Sequence, residues 1–277
     1  MHLWSGLFAA MVSLAVLGAI VLQRYRRHPP WPWWGPPAFL AGWLLVLAAV
    51  LSPLDGLGEE GSLSAHIVQH VVLGDLAAPL LLIGLPPTVG LLAGRWYLSA
   101  SGGYDRRARG VRLALSPAGG LALWTVATYV WLTPPLHRLA IPDGFVHLLD
   151  HASFLLFGLL VWLAAFDFRK GARVRDWESL KTSLITCDLP WWARHVYAMV
   201  SRLAVLPAVA VLWLVSTSAY YVSAEPPPGG LTQREDQVRA ASMMLGFEIL
   251  LSGLAVVLAF IWVSVSEGRA REKQRVL

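Results

Sequence analysis

The chain has 277 residues, of which 56% are hydrophobic and only 14% are charged, and its mean hydropathy is +0.57. A water-soluble domain carries about 25% charged residues, so this composition excludes a soluble globular enzyme and a disordered chain. A single cysteine excludes a disulfide scaffold and a four-cysteine zinc site. The composition therefore predicts an all-α, polytopic membrane protein.

Seven segments of the chain are long and apolar enough to cross a membrane, which takes about 20 largely uncharged residues. We predict one domain over residues 1–277, a bundle of seven transmembrane helices. The predicted spans are residues 3–22, 37–54, 66–85, 113–132, 146–166, 203–222 and 238–265. The long connection at 167–202 is predicted to be a cytoplasmic or interfacial loop.

The basic residues are distributed unevenly between the two sides of this predicted bundle. When successive loops are assigned to alternate sides, all but three of the 22 Lys and Arg residues fall on one side. The positive-inside rule then predicts an outside N-terminus and a cytoplasmic C-terminus. We interpret the net charge of +5 as attraction to anionic membrane lipids and not as nucleic-acid binding. The first apolar segment is not expected to be a signal peptide, because its basic cluster follows the apolar run.

Two predicted spans begin with a pair of histidines four residues apart. His66 and His70 open the third span, and His147 and His151 open the fifth. Residues at this spacing share one face of a helix, so each pair can bind one metal ion. Both spans start at the outer surface in the predicted topology, which puts the four imidazoles at one depth. Hydrogen bonding between helices is the alternative interpretation of these histidines.

The seventh predicted span begins with Asp236 and Gln237, followed by Met243 and Met244. This cluster also lies in the outer half of the membrane in the predicted topology. Thioethers favour Cu(I), whereas imidazole suits copper, zinc and iron alike, so the combination indicates a copper pocket. Two alternatives stay open: that the methionines serve only in packing, and that Asp236 with Gln237 only caps the helix.

Four further polar residues are candidates because ionisable groups are costly inside lipid. Asp150 lies between the histidines of the fifth span and is expected to orient an imidazole from behind. His137, in an outer loop, is a candidate for recruiting metal. Asp75 and Glu248 lie deeper in their spans. They are either protonated and hydrogen-bonded, or part of a proton or ion route.

Three stretches of this sequence together resemble a known family. They are the run from Ser64 to His70 that continues to Pro87, the segment FVHLLDHASFLLFGLLVW at 145–162, and SAYYVSAEPPP at 218–228 with Asp236, Gln237 and Met244 after it. In order and content they resemble the CtaG-type cytochrome c oxidase assembly proteins, which are associated with caa3-type oxidases. The chain departs from the family pattern at Ala241 and Leu245, where Gly and Trp are usual.

The resemblance implies a multi-pass protein of the bacterial inner membrane that serves in respiratory-chain biogenesis. Such a metallochaperone would bind copper, as Cu(I), in the outer half of the membrane and deliver it to the CuB centre of a haem–copper oxidase. Its partners would be the catalytic subunit of that oxidase, an extracytoplasmic copper donor and membrane lipids. The expected ligands are His66, His70, His147, His151, Met243 and Met244, with Asp236 and Gln237 at the entrance.

On this interpretation the protein is not an enzyme, because the metal moves by ligand exchange. Two other functions stay open at this point. One is an intramembrane zinc-dependent hydrolase, in which an acid activates a zinc-bound water. The other is a haem-binding electron-transfer protein with axial histidines. A purely structural assembly scaffold would keep its function without the histidines.

Overall fold

The computed structural model describes residues 2–26, 30–90, 92, 110–111, 113–140, 142–165, 191–221 and 226–276, and every regular element in these ranges is helical. The elements are α1 (His2–Arg26), α2 (Gly35–Leu51), α3 (Pro53–Glu59), α4 (Leu63–Val71), a π-helical segment (Val72–Ala77), α5 (Ala78–Ile83), α6 (Pro117–Trp131), α7 (Pro134–Ala140), α8 (Gly144–Ala165), α9 (Trp191–Leu203), α10 (Leu206–Val215) and α11 (Gln233–Val276). The predicted all-α class is confirmed over this part of the chain.

Four stretches of helix are long and apolar enough to cross a membrane: Leu3–Tyr25, Leu63–Ile83, Gly144–Ala165 and Trp192–Val215. Large apolar side chains project outward from them, for example Leu14 at 69% exposure and Val215 at 71%. Such surfaces are stable against lipid and unfavourable against water. The protein is therefore a membrane protein, and the described part of its chain is helical. The count of seven spans and the orientation of the termini stay predictions.

Helix boundaries follow capping residues and prolines. Ser62 caps α4 by accepting a hydrogen bond from the Ala65 amide, so this helix starts three residues before the predicted span. Ser116 caps α6 in the same way, with Pro117 at the first helical position. The α2 helix ends at Leu51 because Pro53 cannot continue it, and Ser52 caps the short helix α3 instead.

One predicted span differs clearly from the structure. The sixth was expected at 203–222, but the apolar helical stretch runs from Trp192 to Val215 and includes the end of the predicted loop 167–202. The boundary was set by avoiding Arg202, which the structure buries at 2% exposure beside Asp75. A paired arginine is tolerated inside a bundle, and this pairing is invisible to a count of charges. Residues 167–190 of the predicted loop, and residue 166 at the end of the predicted fifth span, lie outside the described residues.

The continuous helix formed by α4, the π segment and α5 stands with α8 at the centre of the bundle. Both contribute to two hydrophobic clusters, one shared with α6, α9, α10 and α11, the other with α1 and α2. Gly74 and Gly158 let the two central helices touch, since a Cβ on Gly158 would lie 2.8 Å from the Gly74 carbonyl oxygen. The indole of Trp162 donates a hydrogen bond to that same oxygen at 3.0 Å. This close contact holds the N-terminal turns of α4 and α8 side by side.

Candidate metal centre

Five histidines from three helices converge near the N-terminal ends of α4 and α8. His66 and His70 come from α4, His147 and His151 from α8, and His137 from the short helix α7. All five are buried, at 3% exposure or less. The ring centroids of His66 and His151 are 5.4 Å apart, and those of His66 and His137 are 4.9 Å apart. The structure thus brings together both predicted histidine pairs and adds the histidine that was expected in a loop.

The helical spacing explains how each pair is presented. The four-residue interval puts both rings of a pair on one face, with centroids 4.3 Å apart in α4 and 4.3 Å apart in α8. Both helices begin at the same end of the bundle, so the two faces meet at one level. The ring of His70 also stacks on Phe154 at 3.8 Å, which fixes its plane.

Asp150 is the acid at the centre of the cluster. Its Oδ2 lies 3.0 Å from Nε2 of His66 and 3.1 Å from Nε2 of His70. We expected this carboxylate to orient an imidazole, and it does contact imidazoles, but on the facing helix α4 and not on its own. It is 1% exposed. A buried carboxylate needs such partners, because its charge is otherwise unfavourable.

Two groups of side chains present ligand atoms that lie within 4.8 Å of one another. We call the first the inner set; it comprises His66, His70, Asp150 and His151. We call the second the outer set; it comprises Asp55, His147 and His151. His151 belongs to both.

The donor atoms fit a metal ion. Nδ1 of His66, Nδ1 of His70 and Nε2 of His151 are buried without a hydrogen-bond partner among the described residues. A buried polar atom left unpaired costs about 1–3 kcal/mol, and a bound ion would remove that cost at each nitrogen that it contacts. An ion ligated by the imidazoles would satisfy nitrogen lone pairs that the protein itself leaves unused.

His137 is held against the cluster by the segment that follows α10. Its ring lies 4.8 Å from the ring of Tyr221, whose hydroxyl donates a hydrogen bond to the Leu132 carbonyl. Tyr221 also packs 4.9 Å from Trp213. Burial lowers the pKa of His137 well below its ordinary value. The ring is therefore neutral, and it has a nitrogen lone pair available as a metal ligand. Tyr221, which lies in one of the stretches that resemble the family, therefore helps to position a histidine.

Asp55 and Gln69 belong to the site and were missed as candidates. Gln69 donates hydrogen bonds to Oδ1 of Asp55 at 2.9 Å and to the Ala49 carbonyl at 2.8 Å. The same Asp55 oxygen is 3.8 Å from Nε2 of His147. Asp55 directly follows the predicted second span, in the connection to the third span. Its place just before the first histidine helix was the available signal.

Asp236 and Gln237 lie at helix ends, where each has several backbone partners. Asp236 accepts hydrogen bonds from the amides of Leu63 at 2.6 Å and Ser64 at 3.3 Å, and thereby caps α4 from the neighbouring helix α11. Gln237 accepts from the Tyr220 amide at 2.7 Å and donates to the Trp213 carbonyl at 3.2 Å. Both side chains shape the surroundings of the histidines. Their predicted place at an entrance stays a prediction.

The two methionines differ in their surroundings. Met244 is fully buried in the hydrophobic cluster that includes Ile67 and Phe154, the residue on which His70 stacks. Met243, the residue that precedes it in α11, is only half-buried. The structure therefore puts one thioether in the layer next to the histidines and leaves the other nearer the surface of the helix.

Asp75 and Glu248 belong to a separate charged group deeper in the bundle. Asp75, in the π segment, forms a buried ion pair with Arg202 of α9. The Arg202 guanidinium lies 4.5 Å from the ring of Trp124 and interacts electrostatically with Glu248 of α11. This group joins three helices. Arg202 lies at the end of the predicted loop 167–202. It is the charged neighbour of Asp75 and Glu248, the two predicted intramembrane acids.

The comparison with protein families agrees with the sequence resemblance. The family described as cytochrome c oxidase caa3 assembly factor matches residues 16–266. No curated protein and no solved structure matches the chain. Because the family match extends over most of the sequence and includes all five clustered histidines, the protein belongs to the cytochrome c oxidase caa3 assembly factor family.

Proposed function

We propose that this protein binds copper, as Cu(I), at the histidine cluster and delivers it to the CuB centre of a haem–copper oxidase. The observation that carries the proposal is the inner set, in which three imidazoles and one carboxylate lie within bonding reach of a single ion. The family supplies the context of oxidase assembly. The proposed orientation puts the cluster in the outer half of a bacterial inner membrane, at the depth at which a CuB centre would receive its ion.

The chemistry of the donors supports copper as cargo. Imidazole nitrogen is a suitable donor for copper, and thioether sulfur favours Cu(I). Met244 is the candidate soft ligand, since it is buried in the same hydrophobic cluster as Phe154, on which His70 stacks. Asp150 lies within 3.1 Å of an imidazole nitrogen of both His66 and His70, and thereby keeps these donors of the inner set close together.

Release of the ion is the second requirement of a carrier. The inner set is made of side chains from two helices, joined mainly by ring contacts and by hydrogen bonds to Asp150. A small separation of α4 and α8 would remove ligands one at a time and let a partner's imidazoles replace them. No bond of an organic substrate is made or broken in such an exchange, and the copper keeps its oxidation state.

The close ring contacts favour an ion over a porphyrin. The centroids of His70 and His151 are 5.6 Å apart, and Asp150 lies within 3.1 Å of an imidazole nitrogen on the neighbouring helix. A haem between these helices would have to displace the carboxylate and separate the rings. A zinc hydrolase would instead need an open coordination position and a free acid, whereas Asp150 is engaged by two histidines.

The test is metal analysis of the purified protein in detergent, with an optical spectrum, after reconstitution with Cu(I) under reducing conditions. The wild type is compared with H70A/H151A and with H195A, which removes a histidine that belongs to neither ligand set. We expect copper in the wild type and in H195A, and loss of copper in the double variant. Zinc retained in preference to copper, or a Soret band, would overturn the proposal.

Delivery is tested separately in cells that make a haem–copper oxidase. Oxidase purified from cells with H70A/H151A should contain haem but less than the full amount of copper, and H195A should restore the wild-type copper content. If the double variant supports full copper loading of the oxidase, the histidines are not the carrier site. The protein would then be an assembly scaffold.

A further inference from the structure

A pocket reaches the outer set of ligands from the surface of the bundle. It has a volume of about 440 Å³, is lined by residues of α1, the end of α2 and the start of α3, and reaches Asp55. Leu51 at its rim is 56% exposed, whereas Asp55 at its inner side is 3% exposed. A carboxylate at the buried end of a partly open pocket is suited to receive a cation.

Asp55 is held in place and does not merely line the pocket. Gln69 donates a hydrogen bond to its Oδ1 at 2.9 Å, and that amide is itself fixed by the Ala49 carbonyl at 2.8 Å. Nε2 of His147 is 3.8 Å from the same oxygen and makes no hydrogen bond to any described residue. The distance is too long for a hydrogen bond, but it is a normal separation for two ligands of one ion.

The outer and inner sets are joined by a shared residue. His151 offers a ligand atom within 4.8 Å of those of Asp55 and His147, and it also offers one within 4.8 Å of those of the other inner-set residues. The rings of His147 and His66 are 5.2 Å apart, which keeps the two sets in contact. An ion that exchanges Asp55 and His147 for inner ligands can thus stay bound to His151 throughout the transfer.

We infer that Asp55, His147 and His151 form a loading site, which takes copper from the pocket and passes it through His151 to the inner set. This inference rests on the proposed copper function. The ion would arrive as Cu(I) from a donor, bind first to the carboxylate and His147, and move inward as their place is taken by His66 and His70. Cu(I) prefers donors softer than a carboxylate oxygen, so Asp55 is an exchangeable ligand. The ion can therefore leave the loading site for the inner set.

The inference separates two quantities, the rate of loading and the equilibrium affinity. Loss of Asp55 should slow loading about tenfold, the lower end of the range for electrostatic steering into a cleft. The affinity of the inner set, which keeps its four members, should change by less than about threefold, whereas loss of an inner ligand or its support lowers affinity about 10- to 100-fold.

The experiment measures Cu(I) transfer from a chromophoric Cu(I) chelator to the full-length protein in detergent by stopped flow, followed by an equilibrium competition with the same chelator. The variants are D55N, H147Q, the inner-set variant H70A and the control E60Q, which removes an exposed acid near the end of α3. Thermal unfolding of each variant in the same detergent shows that the protein compared is folded. D55N keeps the shape of the side chain and its contact with Gln69.

We expect slow loading with unchanged affinity for D55N and H147Q, low affinity for H70A, and wild-type behaviour for E60Q. Loading at the wild-type rate by D55N and H147Q would overturn the inference, and Asp55 with His147 would be a structural pair. Loss of affinity in D55N equal to that in H70A would also overturn it, because the two sets would then be one site. Equal slowing by E60Q would also overturn the inference, because the slower loading would then reflect only the general electrostatic field of the acidic residues and not a site at Asp55. If the wild type binds no Cu(I), the proposed function itself fails.

Discussion

The cap that Asp236 makes on α4 gives a prediction that separates a structural from a metal-binding role. Replacing Asp236 with Ala removes the acceptor for the amides of Leu63 and Ser64 and for the hydroxyl of Ser62. Net stabilisation by a hydrogen bond to a charged group is about 1.5–3 kcal/mol, so two backbone donors correspond to about 3–6 kcal/mol. We expect the lower end of this range, about 3 kcal/mol of unfolding free energy, because water that fills the space left by the carboxylate would partly solvate the two amides.

The assay is reversible unfolding of the detergent-solubilised protein in increasing dodecyl sulfate, followed by tryptophan fluorescence. D236N keeps one carbonyl oxygen and should lose about half as much stability as D236A. E235Q is the matched control, because Glu235 is exposed and bonds only within its own turn, to Thr232. The folded fraction of D236A should still bind copper. Full stability of D236A together with loss of copper would refute the capping role and make Asp236 a ligand.

Three other substitutions test the packing that holds the cluster. R202M should lose about 3–5 kcal/mol of unfolding free energy, because it leaves the carboxylate of Asp75 buried without its partner; R202M/D75N should recover part of that loss in the same assay. G158A should lower the unfolding midpoint, since its Cβ would lie 2.8 Å from a backbone oxygen of Gly74; an unchanged midpoint would show that α4 and α8 can separate freely. Y221F should lose about 1 kcal/mol with its hydrogen bond to Leu132, and Y220F is its control.

Much of this architecture was accessible from the sequence because lipid imposes a simple rule on apolar helices. The interval of four between His66 and His70, and between His147 and His151, predicted the shared faces that the structure shows. A charge count assigned both pairs to one side before any contact was known. The start of α4 at Leu63 was less accessible, since it depends on Asp236, more than 170 residues away.

Arg202 and Asp55 show why the remainder could not be predicted. An isolated arginine opposes membrane insertion, so Arg202 marked the edge of a span; only its pairing with Asp75 across helices explains its burial. Asp55 lies in a sequence segment that is typical of an exposed acidic loop. Its burial depends on α4, which packs back against α3. Gln69 of α4 donates a hydrogen bond to the Asp55 carboxylate and holds it in place. The burial of Arg202 and that of Asp55 both depend on tertiary contacts, and such contacts leave no periodic pattern in the sequence.

Two kinds of buried polar side chain lie around the histidine cluster, and the difference argues for where function resides. Gln237 and Asp236 each have several hydrogen bonds to backbone atoms of neighbouring segments, as structural polar groups in a membrane protein require. The rings of His66, His70 and His151 are equally buried but leave nitrogen atoms unpaired. A bundle that needed only cohesion would gain stability if those rings were replaced by apolar side chains of similar volume. These unpaired imidazole nitrogens surround one carboxylate where three helices meet. Transient binding of an ion therefore explains them better than packing does.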